Sequence, residues 1–159
     1  MAQANEQQEG GIRCLVVPLT NVSMLLPSSL VVEVASYSEP TPVYGAGDVP
    51  WLQGRVNWRG QKIPLVSVEA FFESDFAVPG GRARMLVLKG LSGHPKLAFF
   101  AVLAQQIPRL ANVTADGIEP LNDEALANAP GEVVLAASEA TIMLDVDYVE
   151  KRLIELLYS

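Results

Sequence analysis

The residues able to do covalent or acid–base chemistry are few. The chain of 159 residues holds one histidine, His94, and one cysteine, Cys14. A histidine-assisted nucleophile would depend on His94 alone, and Gly93-His94-Pro95 reads as an exposed turn. A metal site needs clustered His, Cys, Asp or Glu, and one histidine far from one cysteine makes none. Asp145 and Asp147 share a strand face by their spacing. A helix cap at Asp147 and a solvated strand residue at Asp145 explain them better than a catalytic pair. Gly45-Ala46-Gly47 lacks the third glycine and the Lys-Ser/Thr of a phosphate-cradling loop. Cys14 lies in an apolar run and reads as a small buried hydrophobe. We therefore assign no catalytic, cofactor-binding or metal residue, expect no cofactor, and expect a protein that binds rather than turns over.

Charge narrows the partners. Eleven Lys and Arg against 18 Asp and Glu leave a net charge of −7, with no basic run. A nucleic-acid binder needs a basic stripe to displace counterions from phosphates, so no nucleic-acid partner is expected. An anionic membrane surface is disfavoured for the same reason. The longest apolar run, Leu97 to Ala104, is far short of the ~20 residues that span a bilayer, so no direct membrane insertion is expected. Residues 1–11 have neither the basic start nor the apolar stretch of a signal peptide and read as a disordered tail. The expectation is a soluble, cytoplasmic chain. Half of it is apolar and only 18% charged, ample for a core with apolar surface left over for a partner.

The elements that must position any site are short and β-rich. Ile12–Leu19, Met24–Leu26, Val31–Ala35, Arg55–Trp58, Lys62–Val66, Arg84–Lys89, Leu97–Leu103, Gln106–Leu110, Val133–Ala137 and Thr141–Val146 read as strands. Trp51–Gly54 reads as one helical turn closed by Gly54. Gly60 permits a hairpin turn at Arg59-Gly60-Gln61. Pro64 suggests an edge or a bulge. Ser67 has N-cap chemistry for a short helix through Phe72. Asp147 heads the one convincing helix, Tyr148–Leu157, with Val149, Leu153, Leu156 and Leu157 on one face. Pro79-Gly80-Gly81 divides the chain into halves of roughly 12–78 and 82–157. Ile63–Val68 and Met143–Tyr148 echo each other, each a strand followed by a cap and a helix. So many short strands point to a barrel or a sandwich.

One stretch goes further. Gly54-Arg55-Val56-Asn57-Trp58-Arg59-Gly60-Gln61-Lys62-Ile63-Pro64-Leu65-Val66-Ser67-Val68 resembles the signature of CheW-like domains, the adaptors of bacterial chemosensory systems. It matches at Gly54, Asn57, Arg59, Gly60, Pro64, Leu65, Val66 and Val68. Leu15-Val16-Val17 is similar to the family's first strand, Ile118-Glu119-Pro120 to the segment ahead of its late strands, and Met143–Leu153 to its terminal strand and helix. The resemblance covers residues 12–157. It departs at Ser67 and Leu103, where the family has Asp, at Trp58, where it has Leu, and in the long Glu39–Pro50 loop. Those departures suggest a divergent adaptor, serving a type IV pilus or another non-flagellar pathway.

The resemblance implies an all-β fold with a C-terminal helix: two small five-stranded SH3-like barrels sharing an intervening hydrophobic core, with strand exchange between the halves. It implies a non-catalytic scaffold recruited to membrane receptor arrays. Its partners would be the CheW-like regulatory domain of a histidine kinase and the cytoplasmic tip of a methyl-accepting chemoreceptor. The candidate partner-binding residues are Glu33, Asn57, Trp58, Arg59 and Gly60. Arg59 is expected to form an ion pair with Glu33 and shape the rim of a receptor groove, and Asn57 to bond backbone groups across the turn. A small-ligand-binding β-barrel is the alternative, which a large apolar pocket would support.

Overall fold

The computed structural model describes residues 11–44 and 49–158. The tail expected over residues 1–11 thus lies, up to residue 10, outside the described residues, as does the stretch 45–48 of the Glu39–Pro50 loop. Among the described residues, eleven strands precede one α-helix: β1 (Ile12–Pro18), β2 (Ser23–Pro27), β3 (Val31–Ser36), β4 (Leu52–Trp58), β5 (Gln61–Val66), β6 (Arg84–Lys89), β7 (Phe99–Ala104), β8 (Arg109–Val113), β9 (Ile118–Pro120), β10 (Gly131–Ala136), β11 (Glu139–Leu144) and α1 (Val146–Tyr158).

The strands form two sheets. One is six-stranded, in the order β8-β1-β2-β11-β10-β9; the other is five-stranded, β3-β6-β7-β5-β4. Leaving aside the short edge strand β9, the two have the same plan. A hairpin (β1–β2 or β6–β7) lies parallel to the last strand of a second hairpin (β11 or β5), and an extra strand (β8 or β3) flanks it. The hairpin in each sheet comes from the opposite half of the chain, so neither sheet respects the break at Pro79–Gly81. The echo between Ile63–Val68 and Met143–Tyr148 falls on the two equivalent strands β5 and β11.

Alternation along the strands sends side chains to two places. Leu15, Val17, Met24, Leu26, Val66, Leu86, Phe100, Val102 and Ile142 turn into one core between the sheets, onto which Val149 and Leu153 of α1 pack with no exposure. Val56, Trp58, Ile63, Leu65, Met85, Val87, Ala101 and Leu103 fill the interior of the five-stranded unit. β7 serves both, which is why its run is buried on both faces. A backbone bridge between Thr41 and Arg55, with both hydrogen bonds at 2.8 Å, ties the chain leaving β3 to β4 and curls this sheet into a barrel.

Several local expectations are corrected. Trp51–Gly54 is not a helical turn. The Trp51 carbonyl already accepts from Ser67 N at 2.8 Å, and Gly54, at φ 137°, sits in a strand irregularity where a Cβ would come 2.3 Å from the Thr41 carbonyl oxygen. Pro64 lies on an interior strand. Opposite it, Arg55 spends its N–H and carbonyl on Thr41, and the β7 ladder begins only at Leu65, so neither neighbour needs the N–H that proline lacks. Ser67 caps nothing: the short 3-10 turn Glu69–Phe71 has no side-chain cap, and the Ser67 hydroxyl is buried without a hydrogen-bond partner. The helix begins at Val146, and its cap is Asp145, whose Oδ1 accepts from Tyr148 N at 3.0 Å. Asp147 instead pairs with Lys151 at 2.9 Å. The strand read at Gln106–Leu110 runs Arg109–Val113, because its pairing with β1 starts at Arg109.

Candidate functional site

β4 and β5 meet in a two-residue turn, with Trp58 opposite Gln61. Both turn residues are left-handed, Arg59 at φ 48° and Gly60 at φ 77°. That geometry matches the twist of the strands it joins. The sequence placed positive φ on Gly60 alone. Arg59 adopts it too, at a steric cost that glycine avoids.

The Arg59 guanidinium reaches across the barrel opening to β3. Its Nη2 lies 2.8 Å from Glu33 Oε1, the contact expected from the sequence. β3 and β4 are the two edges of the five-stranded sheet, so the pair links them above the bridge at Thr41. The contact is single-pronged, and the guanidinium also lies over the Trp58 ring, 4.7 Å from its centroid. Trp58 is buried and packs at a tilt on Phe99, with centroids 4.8 Å apart. It supports the surface from below rather than presenting an aromatic face. Asn57 is exposed on β4 and has no side-chain hydrogen bond to a described residue, because the turn itself already satisfies the local backbone. On the opposite face of the same edge strand, Val32 and Val34 are 43% and 42% exposed.

Two buried carboxylates hold the exchanged hairpins in place; one of them, Glu150, has the spacing of a capping box with Asp147, but it turns away from the helix start and spends both oxygens on the β6–β7 turn. Glu69, just after β5, accepts from Thr20 N in the β1–β2 turn at 2.9 Å and from Gln105 Nε2 at 2.7 Å. Glu150, on α1 after β11, accepts from Leu91 N at 2.9 Å and Ser92 N at 2.8 Å in the β6–β7 turn. Each follows the corresponding strand of the repeated plan, and each satisfies backbone donors of the hairpin that its own half of the chain lends to the other sheet. For Glu150 the helical spacing is a signal, since it stands beside Val149 and one turn before Leu153 on the buried side of the helix; Glu69 carries no comparable one.

Catalytic geometry is sparse. His94 stacks on Tyr158 at 5.3 Å, and its Nδ1 accepts from Lys96 N. Burial pushes the Cys14 thiol up, away from the thiolate a nucleophile needs. Among the described residues no three His, Cys, Asp or Glu gather as a metal site, and no helix is long and apolar enough to cross a membrane.

Comparison with known proteins agrees with this fold. The crystal structure of the scaffolding protein TtCheW from Thermoanaerobacter tengcongensis matches with a TM-score of 0.70 at 15% identity, over 87% of each chain. No curated protein matches the sequence significantly. The model of the CheW-like domain matches residues 13–152, which contain the Arg59 hairpin, both sheets and half of the helix. The chain therefore belongs to the CheW-like domain family.

Proposed function

We propose that this protein is a non-catalytic adaptor of a chemotaxis-type signalling system, coupling the cytoplasmic tip of a methyl-accepting receptor to the CheW-like regulatory domain of a histidine kinase. The observation that carries this reading is the family match over residues 13–152, with the signature hairpin at an open barrel edge. Glu33, Arg59 and Gly60 form the exposed part of the candidate surface, Asn57 flanks it, and Trp58 sets the guanidinium from below. On the other face of the same edge strand, Val32 and Val34 supply apolar area that a partner pairing with that edge would cover. The protein acts in the cytoplasm, at receptor arrays reached through partners rather than through a membrane segment of its own.

The test is reconstitution. The full chain, a receptor-tip fragment and a kinase regulatory domain from the same organism are mixed and run on a sizing column. A ternary peak that the Arg59→Ala variant depletes supports the reading. Separate elution of all three at concentrations well above micromolar refutes it.

A further inference from the structure

The two barrels share a plan but not a filling. Register places Trp58 and Ala136 at equivalent positions, since each precedes a two-residue left-handed turn, Arg59-Gly60 or Ala137-Ser138. The parallel pairings place Leu65 with Met143 and Ala101 with Leu25, hence Phe99 with Ser23. The flanking strands place Glu33, opposite Val87, with Arg109, opposite Val16. So where the five-stranded barrel has Trp58, Phe99 and Ile63, the six-stranded barrel has Ala136, Ser23 and Thr141. Each replacement is smaller, and together they remove two aromatic rings.

The missing volume is present as space. A cavity of about 320 Å³ opens there, lined by Ser23, Ala136, Thr141, Arg109 and Glu139 among others. A second cavity of about 260 Å³ shares Leu25, Val113, Thr114 and Ile118 with it and continues to Ile12 and Cys14 along almost wholly apolar walls. Two adjacent cavities with shared walls offer more room than a single side chain needs, which favours a free small molecule.

The charges at the opening are altered in the same way. In the filled barrel, Arg59 satisfies Glu33 and covers the Trp58 ring. In the open barrel the Glu33 position holds Arg109 and the Arg59 position holds Ala137, so a cation stands beside the empty ring site without its built-in anion. Glu139, cross-strand from Ala136, adds a carboxylate on the other side. No ion pair joins Arg109 to Glu139 among the described residues.

We propose that the six-stranded barrel binds a free aromatic amino acid. The ring takes the space that Trp58 and Phe99 fill in its twin, the α-carboxylate pairs with Arg109, and the ammonium pairs with Glu139. Filling the cavity also takes its apolar walls out of contact with solvent. This site is separate from the Arg59 surface and does not rest on the adaptor reading.

Calorimetry of the full chain with L-tryptophan tests it. Saturable binding at one site is expected. Arg109→Ala weakens it by about tenfold or more, the cost of one charge-assisted contact, and Glu139→Gln weakens it in the same direction. Tryptamine, which lacks the carboxylate, binds less well than tryptophan to the unaltered protein and equally to Arg109→Ala. Ala136→Trp places the missing ring in the chain and abolishes binding; Ser23→Phe does the same if the first variant does not fold cooperatively. Lack of saturation up to the solubility limit of tryptophan overturns the proposal. So does binding that survives both filling variants, or equal affinity for tryptamine and tryptophan. None of these outcomes affects copurification with receptor and kinase fragments, so the two readings fail separately.

Discussion

Replacing Arg59 with alanine and, separately, with glycine distinguishes what this residue does for the fold from what it does for binding. The side chains of the Arg59–Glu33 pair are 62% and 37% exposed, and the contact is a single 2.8 Å hydrogen bond. Such a pair contributes about 0–1 kcal/mol. The guanidinium over Trp58 adds about 0.5–1 kcal/mol at a site this open. Arg59→Ala should therefore lose about 1 kcal/mol, a small part of the roughly 5–15 kcal/mol of an ordinary domain. Alanine keeps a Cβ and so retains the left-handed penalty at φ 48°. Glycine removes that penalty, worth about 1–2 kcal/mol. It also gives the unfolded chain more freedom, which returns about 0.4–1 kcal/mol. Arg59→Gly should accordingly be more stable than Arg59→Ala by roughly 0.5–1 kcal/mol, and close to the unaltered protein. Both variants lack the guanidinium and should lose receptor-fragment binding alike. Urea unfolding midpoints and calorimetric affinities measure the two effects independently. If alanine and glycine variants unfold at the same midpoint, the strain argument is wrong. If both keep full affinity, Arg59 is not part of the partner surface.

Two further variants probe the frame. In Glu150→Gln the amide offers one acceptor oxygen and sets its NH2 against the second backbone donor, so about 1–3 kcal/mol of stability should be lost in denaturant unfolding; a loss below about 0.5 kcal/mol would contradict the hairpin-pinning role. Gly54→Ala should destabilise by more than Gly60→Ala, because the first Cβ would meet the Thr41 carbonyl at 2.3 Å while the second meets nothing within 4 Å. Equal melting temperatures for the two alanine variants would show that the Thr41–Arg55 bridge yields freely.

Legibility followed distance along the chain. Arg84–Lys89 was readable with its observed bounds because a strand that alternates between two cores is almost wholly apolar, and charge marks its ends. The β4–β5 hairpin was readable because its turn needs only adjacent residues, and the family signature falls on it. Failures came where a distant segment settles a local choice. Trp51–Gly54 has the composition of a turn, but Ser67 bonds the Trp51 carbonyl and the Thr41 bridge holds the adjoining Arg55, which draws the segment into a strand. Asp145 and Asp147 are both competent caps, and the register of β11 against β2 decides where the helix starts. Ile118–Pro120 is too short to signal a strand alone and becomes one by pairing with β10.

Composition and pattern alone determined a β-rich chain with a terminal amphipathic helix, few residues for acid–base chemistry and no basic run. These follow from residue identity and nearest-neighbour sterics. The motif carried the family, because five identities and three aliphatic positions at fixed spacing survive without knowledge of the fold. Only the tertiary structure decided that each half lends a hairpin to the other's sheet, that Glu69 and Glu150 hold those hairpins, and that one barrel is filled by Trp58 and Phe99 while its twin stays hollow at Ala136 and Ser23. Each of these depends on which residues face one another across strands far apart in sequence, and parallel pairing and side-chain volume across a barrel leave no local trace.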